Sequence, residues 1–303
     1  MKQEKFGNSK LFVLENDRIC LRLSEIGASM QSLRFAGREL ILSMDDAALY
    51  EDNPNFCGVI AGRYANRIGG AAFTIGGRTC RLPANENGNI LHGGKADGYW
   101  SERRWAGEAL GETAVRFALL SPDGDNGFPG NLTARVTYTL TDNRLRIDFE
   151  GDSDADTYYC PTTHTYWQLC PNALDTVMTL PSRGHLEVDD GLIPTGKILP
   201  AEGDFDLNTP RRLGVDFDDC FVLAGEHACT ASGGGVTLTL HTDYPGLQLY
   251  TGSNLQGAFA AHAGFAIEPQ FFPDSPNKPA FPDALLRKGE HFRKYAELCL
   301  TEE

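Results

Sequence analysis

The spacing of the apolar residues restricts the fold more than any other feature. They recur at every second position in short runs. No stretch carries the capped 3.6-residue stripe of a long amphipathic helix. Leu132-Thr-Ala-Arg-Val-Thr-Tyr-Thr-Leu140 alternates, and Leu145-Arg-Ile-Asp-Phe149 alternates again. Between them, Thr141-Asp-Asn-Arg144 reads as a hairpin turn. Arg18-Ile-Cys-Leu-Arg-Leu23 alternates less cleanly and breaks at Gly27. Val236-Thr-Leu-Thr-Leu240 and Gly246-Leu-Gln-Leu-Tyr-Thr251 read as a second hairpin around His241-Thr-Asp-Tyr-Pro245. The clearest helical candidate is short, near Asp45 to Tyr50. The 33 glycines and 16 prolines punctuate the whole length, so no linker or domain boundary stands out. There is no internal repeat, which favours a sandwich over a propeller. The expectation is one all-β domain over residues 1–303, built of stacked antiparallel sheets.

Composition narrows the function. Hydrophobic residues make up 41% of the 303, enough for a large core and too many for wholesale disorder. The 27 Lys and Arg stand against 41 Asp and Glu, for a net charge of −14. A chain this acidic has no electrostatic reason to hold nucleic acid or an anionic membrane. The first ten residues are polar and lack a signal-peptide core, and no apolar run reaches membrane-span length. A cytoplasmic protein is therefore expected. Its eight cysteines form no Cys-x-x-Cys and are expected to be reduced thiols. There is no His-x-x-x-His or facial set of carboxylates, so neither a metal nor another cofactor is expected.

Five stretches place polar groups where a strand core would not want them. Gly264-Phe-Ala-Ile-Glu-Pro-Gln270 carries Glu268 at the end of an apolar run, just before a proline that should stop ladder pairing. A carboxylate beside apolar residues loses solvation, which raises its pKa and suits it to acid–base work. Taken alone, a strand-end glutamate in water is the plainer reading. Gly62-Arg-Tyr-Ala-Asn-Arg-Ile-Gly-Gly70 has no phosphate-loop pattern, but Arg63, Asn66 and Arg67 are donors suited to hydroxyls or carboxylates. His92 precedes a Gly-Gly pair, where backbone can approach a ligand. In Thr162-Thr-His-Thr-Tyr-Trp-Gln168, alternation would put Thr162, His164, Tyr166 and Gln168 on one face, poor for a core and good for a polar cleft. Asp218-Asp219 opens an apolar run, so one acid can point inward. His185, His227, His241, His262 and His291 have loop or surface contexts.

Together these stretches resemble the aldose 1-epimerase family, the galactose mutarotases. The resemblance runs from Gly27 to the C-terminal strand. It is carried by Gly-Arg-Tyr-Ala-Asn-Arg-Ile (62–68), Leu-His-Gly-Gly (91–94), Ser-Pro-Asp-Gly-Asp-Asn-Gly-Phe-Pro-Gly (121–130), His-Thr-Tyr-Trp-Gln-Leu (164–169), Ile-Pro-Thr-Gly (193–196), Asp-Asp-Cys-Phe (218–221), Leu-Tyr-Thr-Gly (249–252) and Gly-Phe-Ala-Ile-Glu-Pro-Gln (264–270). It implies a large twisted antiparallel β-sandwich, the mutarotase supersandwich, with a sugar cleft on one sheet. It also implies Glu268 as base, His164 as acid and His92 as a second active-site histidine. Arg67, Asn66, Asp218 and Gln248 would hold the sugar. The chain departs from the family pattern at Thr163 (usually Asn), Asp219 (usually His) and Ser253-Asn254 (commonly Asn-Phe), and its loop between Gly257 and Gly264 is short.

The implied reaction opens and recloses a hexose ring by paired acid–base catalysis, without metal or nucleotide. The expected partner is a monosaccharide, and the protein is expected to be a monomer or a weak homodimer. Three rivals stay open. A silent carbohydrate-binding module could dispense with His164 and Glu268. A glycoside hydrolase would want two carboxylates flanking the bond. An epimerase for phosphorylated aldoses would want extra cations near the cleft, for which Arg103 and Arg104 are the candidates.

Overall fold

A computed structural model describes residues 1–302. As the alternation requires, strands dominate. A five-stranded meander runs from Lys2 to Glu39. A nine-stranded antiparallel sheet is built around the ladder of Leu132–Thr141, Arg144–Ser153 and His291–Glu302. A six-stranded sheet runs in the order Tyr166–Trp167, Phe265–Gln270, Gly246–Tyr250, Asp218–Leu223, Ser182–Val188, Pro194–Leu199. The turn at Asp142-Asn143 falls where expected, with Asp142 at φ +51° in the left-handed region that an aspartate tolerates. The helix is Ala48–Glu51, one turn long and three residues later than the reading near Asp45.

The two large sheets share one apolar core. The nine-stranded sheet contributes Val136, Tyr138, Ile147, Phe149 and Leu298, all buried. The six-stranded sheet contributes Trp167, Phe221, Leu247, Leu249, Phe265 and Ile267. Each large side chain buried this way stabilises the fold by about 1.5–3 kcal/mol. A period of two then dictates what the other face of the six-stranded sheet carries. If Ile267 and Leu249 point into the core, Glu268 and Gln248 cannot.

The second expected hairpin is not one. Val236–Thr242 pairs with His227–Gly233 and His291–Glu302 in the nine-stranded sheet, whereas Gly246–Tyr250 pairs with Asp218–Leu223 and Phe265–Gln270 in the six-stranded sheet. The connecting segment crosses between sheets instead of turning back. Tyr244 anchors the crossing: it is buried, and its hydroxyl donates to the Pro161 carbonyl at 2.7 Å. Alternation marks both strands but says nothing of which sheet each joins. All eight cysteines are free thiols. Among the described residues no helix is long and apolar enough to cross a membrane.

Candidate active site

Glu268 lies inside the Phe265–Gln270 strand, not at its end. The strand continues through Pro269 and Gln270, in register with Leu247 and Gly246. Proline is tolerated because the neighbouring Tyr166–Trp167 strand pairs only with Ala266 and Phe265. Beyond that last rung the missing N–H costs no ladder bond, and the Pro269 carbonyl accepts from Thr162 Oγ1 at 2.8 Å. Glu268 is 2% exposed, so the carboxyl sits at the bottom of a cleft and not in bulk water.

His164 arrives on a broken strand. The uninterrupted alternation expected over 162–168 gives way to two short pieces. Thr162–Thr163 pairs with Ile60–Ala61, and Tyr166–Trp167 pairs with Phe265–Gln270. His164 sits at the break, held by its own N–H to Val59 O (2.8 Å) and by its carbonyl accepting from Gly58 N (2.9 Å). His164 and Tyr166 do reach the cleft together, with ring centroids 5.0 Å apart. Gln168 does not reach it; its amide donates to Ala263 O. Thr162 turns to Pro269. The His164 Nε2 lies 3.7 Å from Glu268 Oε1, too long for a hydrogen bond and open to a third atom between them.

His92 and Asn66 lock each other. The His92 N–H donates to Asn66 O (3.0 Å), and the Asn66 N–H donates to His92 Nδ1 (3.2 Å). Both residues take left-handed backbone conformations, φ +48° and +60°. Gly93 follows at φ +79°, so close to Gly62 that a Cβ would meet its carbonyl oxygen at 2.1 Å. With Nδ1 accepting, the ring proton is on Nε2, and His92 is a fixed hydrogen-bond donor. Ligand atoms of His92, His164 and Glu268 lie within 4.8 Å of one another. This donor set does not fit a metal. With Nδ1 accepting from the Asn66 amide, His92 would have to give up its Nε2 proton or that bond to become a ligand.

Arg67 is buried and clamped by Glu86 through Nε (2.5 Å) and Nη2 (2.9 Å), with Asp218 Oδ2 3.9 Å from its Nη1. Gln248, directly opposite Glu268 on the next strand, donates from Nε2 to Asp218 Oδ1 at 2.7 Å. The cleft floor is thus one linked row from Arg67 through Asp218 and Gln248 to the neighbouring Glu268. The cavity has a volume of about 260 Å³, at the small end for a small-molecule site. Six of the seven residues expected at the site line it; Gln248 stands behind Asp218.

Burial sets the electrostatics. It pushes the Glu268 carboxyl well above the usual carboxylate range; Asp218 adds to the rise and Arg67 opposes it. It pulls His164 down to about 4. His92 is held well below 6.5 by burial, then by His164 and Arg67. Burial thus works against the charged form of each partner, and when the pair holds one proton it favours the tautomer without charges, a carboxylic acid beside a neutral imidazole.

One expectation is resolved and two change. Asp219 faces away from the cleft toward the core side, because its neighbour Asp218 faces in; burial raises it to about 6. Arg63 is not a cleft residue. It is buried against the carbonyls of Ser121, Pro122, Pro129 and Gly130. His185 is no loop histidine but a buried strand residue stacked on Phe205 at 3.8 Å. Sequence reading missed Phe56, Glu86 and Tyr250 as cleft residues. Phe56 packs on His92, its ring centroid 4.7 Å away. The one sequence signal for Glu86 was its place in a polar loop just ahead of His92.

Comparison with known proteins identifies the family and the fold. The aldose 1-epimerase family matches residues 10–299. Galactose mutarotase of Mus musculus is 33% identical, covering 94% of this chain and 92% of that protein. Aldose 1-epimerase of Escherichia coli is 33% identical over 97% of this chain and 96% of its own length. Among solved structures, an aldose epimerase homologue from C. elegans superposes with a TM-score of 0.92 at 26% identity, covering 97% of this chain and 99% of that one. Galactose 1-epimerase from Lactobacillus acidophilus superposes with a TM-score of 0.90 at 27% identity, covering 100% and 98%. The chain belongs to the aldose 1-epimerase family.

Proposed function

We propose that Glu268 and His164 are the proton-transfer pair of this epimerase, with His92 as a fixed donor beside them and a free hexose as substrate. The activity is an isomerisation, the interconversion of the two anomers of an aldose. The observation that carries the residue roles is the 3.7 Å gap between the buried His164 Nε2 and Glu268 Oε1. An acid and a base that far apart would reach two oxygens that share one carbon.

The proton count closes. With a ring sugar bound, Glu268 as carboxylate takes the proton of the C1 hydroxyl, and the O–H electrons become the second bond of the aldehyde. The bond from C1 to the ring oxygen breaks, and the ring oxygen takes the proton of the His164 imidazolium. The enzyme is left as carboxylic acid and neutral imidazole. The C1–C2 bond rotates, and reclosure with the roles reversed gives the other anomer. The tautomer left after opening is the one that burial favours. The site is therefore suited to the open-chain intermediate, which lies between the barriers of opening and reclosure. His92 Nε2–H offers a preorganised hydrogen bond to the oxygen on which charge develops. Arg67, Asn66 and Asp218 are assigned to the remaining hydroxyls, and Gln248 holds Asp218 from behind.

The names of the mouse and E. coli relatives support galactose or another free aldose as substrate. The cleft charges point the same way. One arginine, already clamped by Glu86, faces Glu86, Asp218 and Glu268. A sugar phosphate finds no free cation there. Arg103 is spent on Asp125 and Arg104 lies beside Glu51. A silent binding protein would have no use for two buried titratable groups held 3.7 Å apart. We further read residues 1–303 as one domain, cytoplasmic, and a monomer or weak homodimer.

The test is polarimetry of freshly dissolved α-D-galactose and α-D-glucose at neutral pH with a chelator present. Faster approach to the uncatalysed end point supports the reading. No acceleration with either sugar would overturn the free-hexose assignment.

A further inference from the structure

The cleft explains one oxygen of Glu268. Its Oε1 faces His164, but Oε2 is buried and has no hydrogen-bond partner. A charged carboxylate left that way loses a bond of the stronger, charge-assisted kind. Two residues along the strand, on the same face, stands Gln270, fully buried, with neither Oε1 nor Nε2 partnered. Side chains two apart on a strand rise from points about 7 Å apart, within the combined reach of a glutamate and a glutamine. Gly246 lies opposite Gln270 and offers it no side chain. Gln248, opposite Glu268, has committed its N–H to Asp218, and its Oε1 is an acceptor without a donor. On these strands the uncommitted buried groups are three acceptors and one donor amide, and the donor is Gln270 Nε2.

We propose that Gln270 is a positioning residue for the base: its amide turns to donate to Glu268 Oε2 when the carboxylate is charged. It does not line the sugar cavity, so it acts only through Glu268. The inference rests on the assignment of Glu268 as the base.

The other groups facing Glu268 are accounted for. His164 is at 3.7 Å, and His92 lies within the same cluster. Asp218 and Arg67 act on it with opposite sign. Tyr166, Cys160 and Cys220 feel its charge, and burial keeps all three in their neutral forms. The Cys160 sulfur already accepts from Phe271 N at 3.2 Å.

Gln270→Met keeps length and removes the donor. Only states with a charged Glu268 are affected. The share of the charged-pair tautomer falls, so kcat falls by about tenfold to a hundredfold, the worth of a bond to a charged group. KM stays near the wild-type value because the sugar is not touched. The one-proton pair also holds its proton longer, so the alkaline limb of the kcat profile moves up by about one pH unit or more while the acid limb stays. A fall in kcat with an unmoved alkaline limb would mean mere packing, and an unchanged kcat would mean no role; either overturns the proposal. Should Gln270→Met fail to fold, Gln270→Leu removes the same donor with a different shape, and the alkaline limb must move up there as well. An unmoved limb there also overturns the proposal. Wild type run alongside separates the two ideas, since its own failure to speed mutarotation would strike the epimerase reading and not Gln270.

Discussion

Glu268→Gln is the most instructive single change, because it should uncouple activity from stability. The amide keeps the shape of the carboxyl and its place opposite Gln248. It cannot take the C1 hydroxyl proton across the gap that His164 closes from the other side at 3.7 Å. General acid–base catalysis of this kind is worth about 10²–10⁴ in rate, or ~3–5 kcal/mol of barrier. Stability should move the other way. Glu268 is buried, and its pKa is raised in the folded state. Above the ordinary carboxylate range the unfolded chain ionises and the folded chain does not, so this residue costs stability as pH rises. A neutral amide removes that cost. The variant should therefore melt above wild type at pH 7.5, with the difference shrinking toward pH 4. Polarimetry gives the first number and a thermal melt at each pH the second. Turnover within about tenfold of wild type would refute Glu268 as base. A lower melting temperature at pH 7.5 would refute the argument from burial.

Other expectations follow from the same geometry. His164, lowered from 6.5 to about 4 by burial, should cost wild type about 3 kcal/mol between pH 6.5 and pH 4, as the unfolded chain takes up a proton the folded chain refuses. Denaturant titrations across that range should show a flatter profile for His164→Asn, with His92 still contributing in the same direction. Glu86→Gln should unclamp Arg67 and raise KM by about tenfold, with kcat little changed, measurable by initial rates over sugar concentration. Gly93→Ala puts a Cβ 2.1 Å from the Gly62 carbonyl at a positive φ and should cost more than about 1 kcal/mol, read by denaturation.

The sequence carried the strands because a period of two is local: Val136, Tyr138, Ile147 and Phe149 announce their face without any partner. It could not say which sheet a strand joins. That failure turned Val236–Thr242 and Gly246–Tyr250 into a hairpin when they belong to different sheets. The breaks were equally hidden. Pro269 reads as a stop, yet it sits in register because its neighbour strand has already ended. His164 reads as one position in a continuous run, yet it stands at the junction of two pairings. Six of the seven residues named for the site line the cleft and Gln248 stands behind Asp218, a set carried by family motifs more than by chemistry. Glu86 and Phe56 escaped notice because their meaning lies in what they pack against, an arginine and a histidine ring.

The central claim is that ring opening begins with loss of the C1 hydroxyl proton to Glu268. Exchange NMR on equilibrated galactose and on methyl α-galactoside tests it most directly, since the glycoside has no such proton. The account predicts anomeric exchange peaks that appear with enzyme for the free sugar, none for the glycoside, and no methanol released. Anomer exchange in the methyl glycoside, or release of methanol, would contradict it and point to cleavage of the exocyclic bond instead.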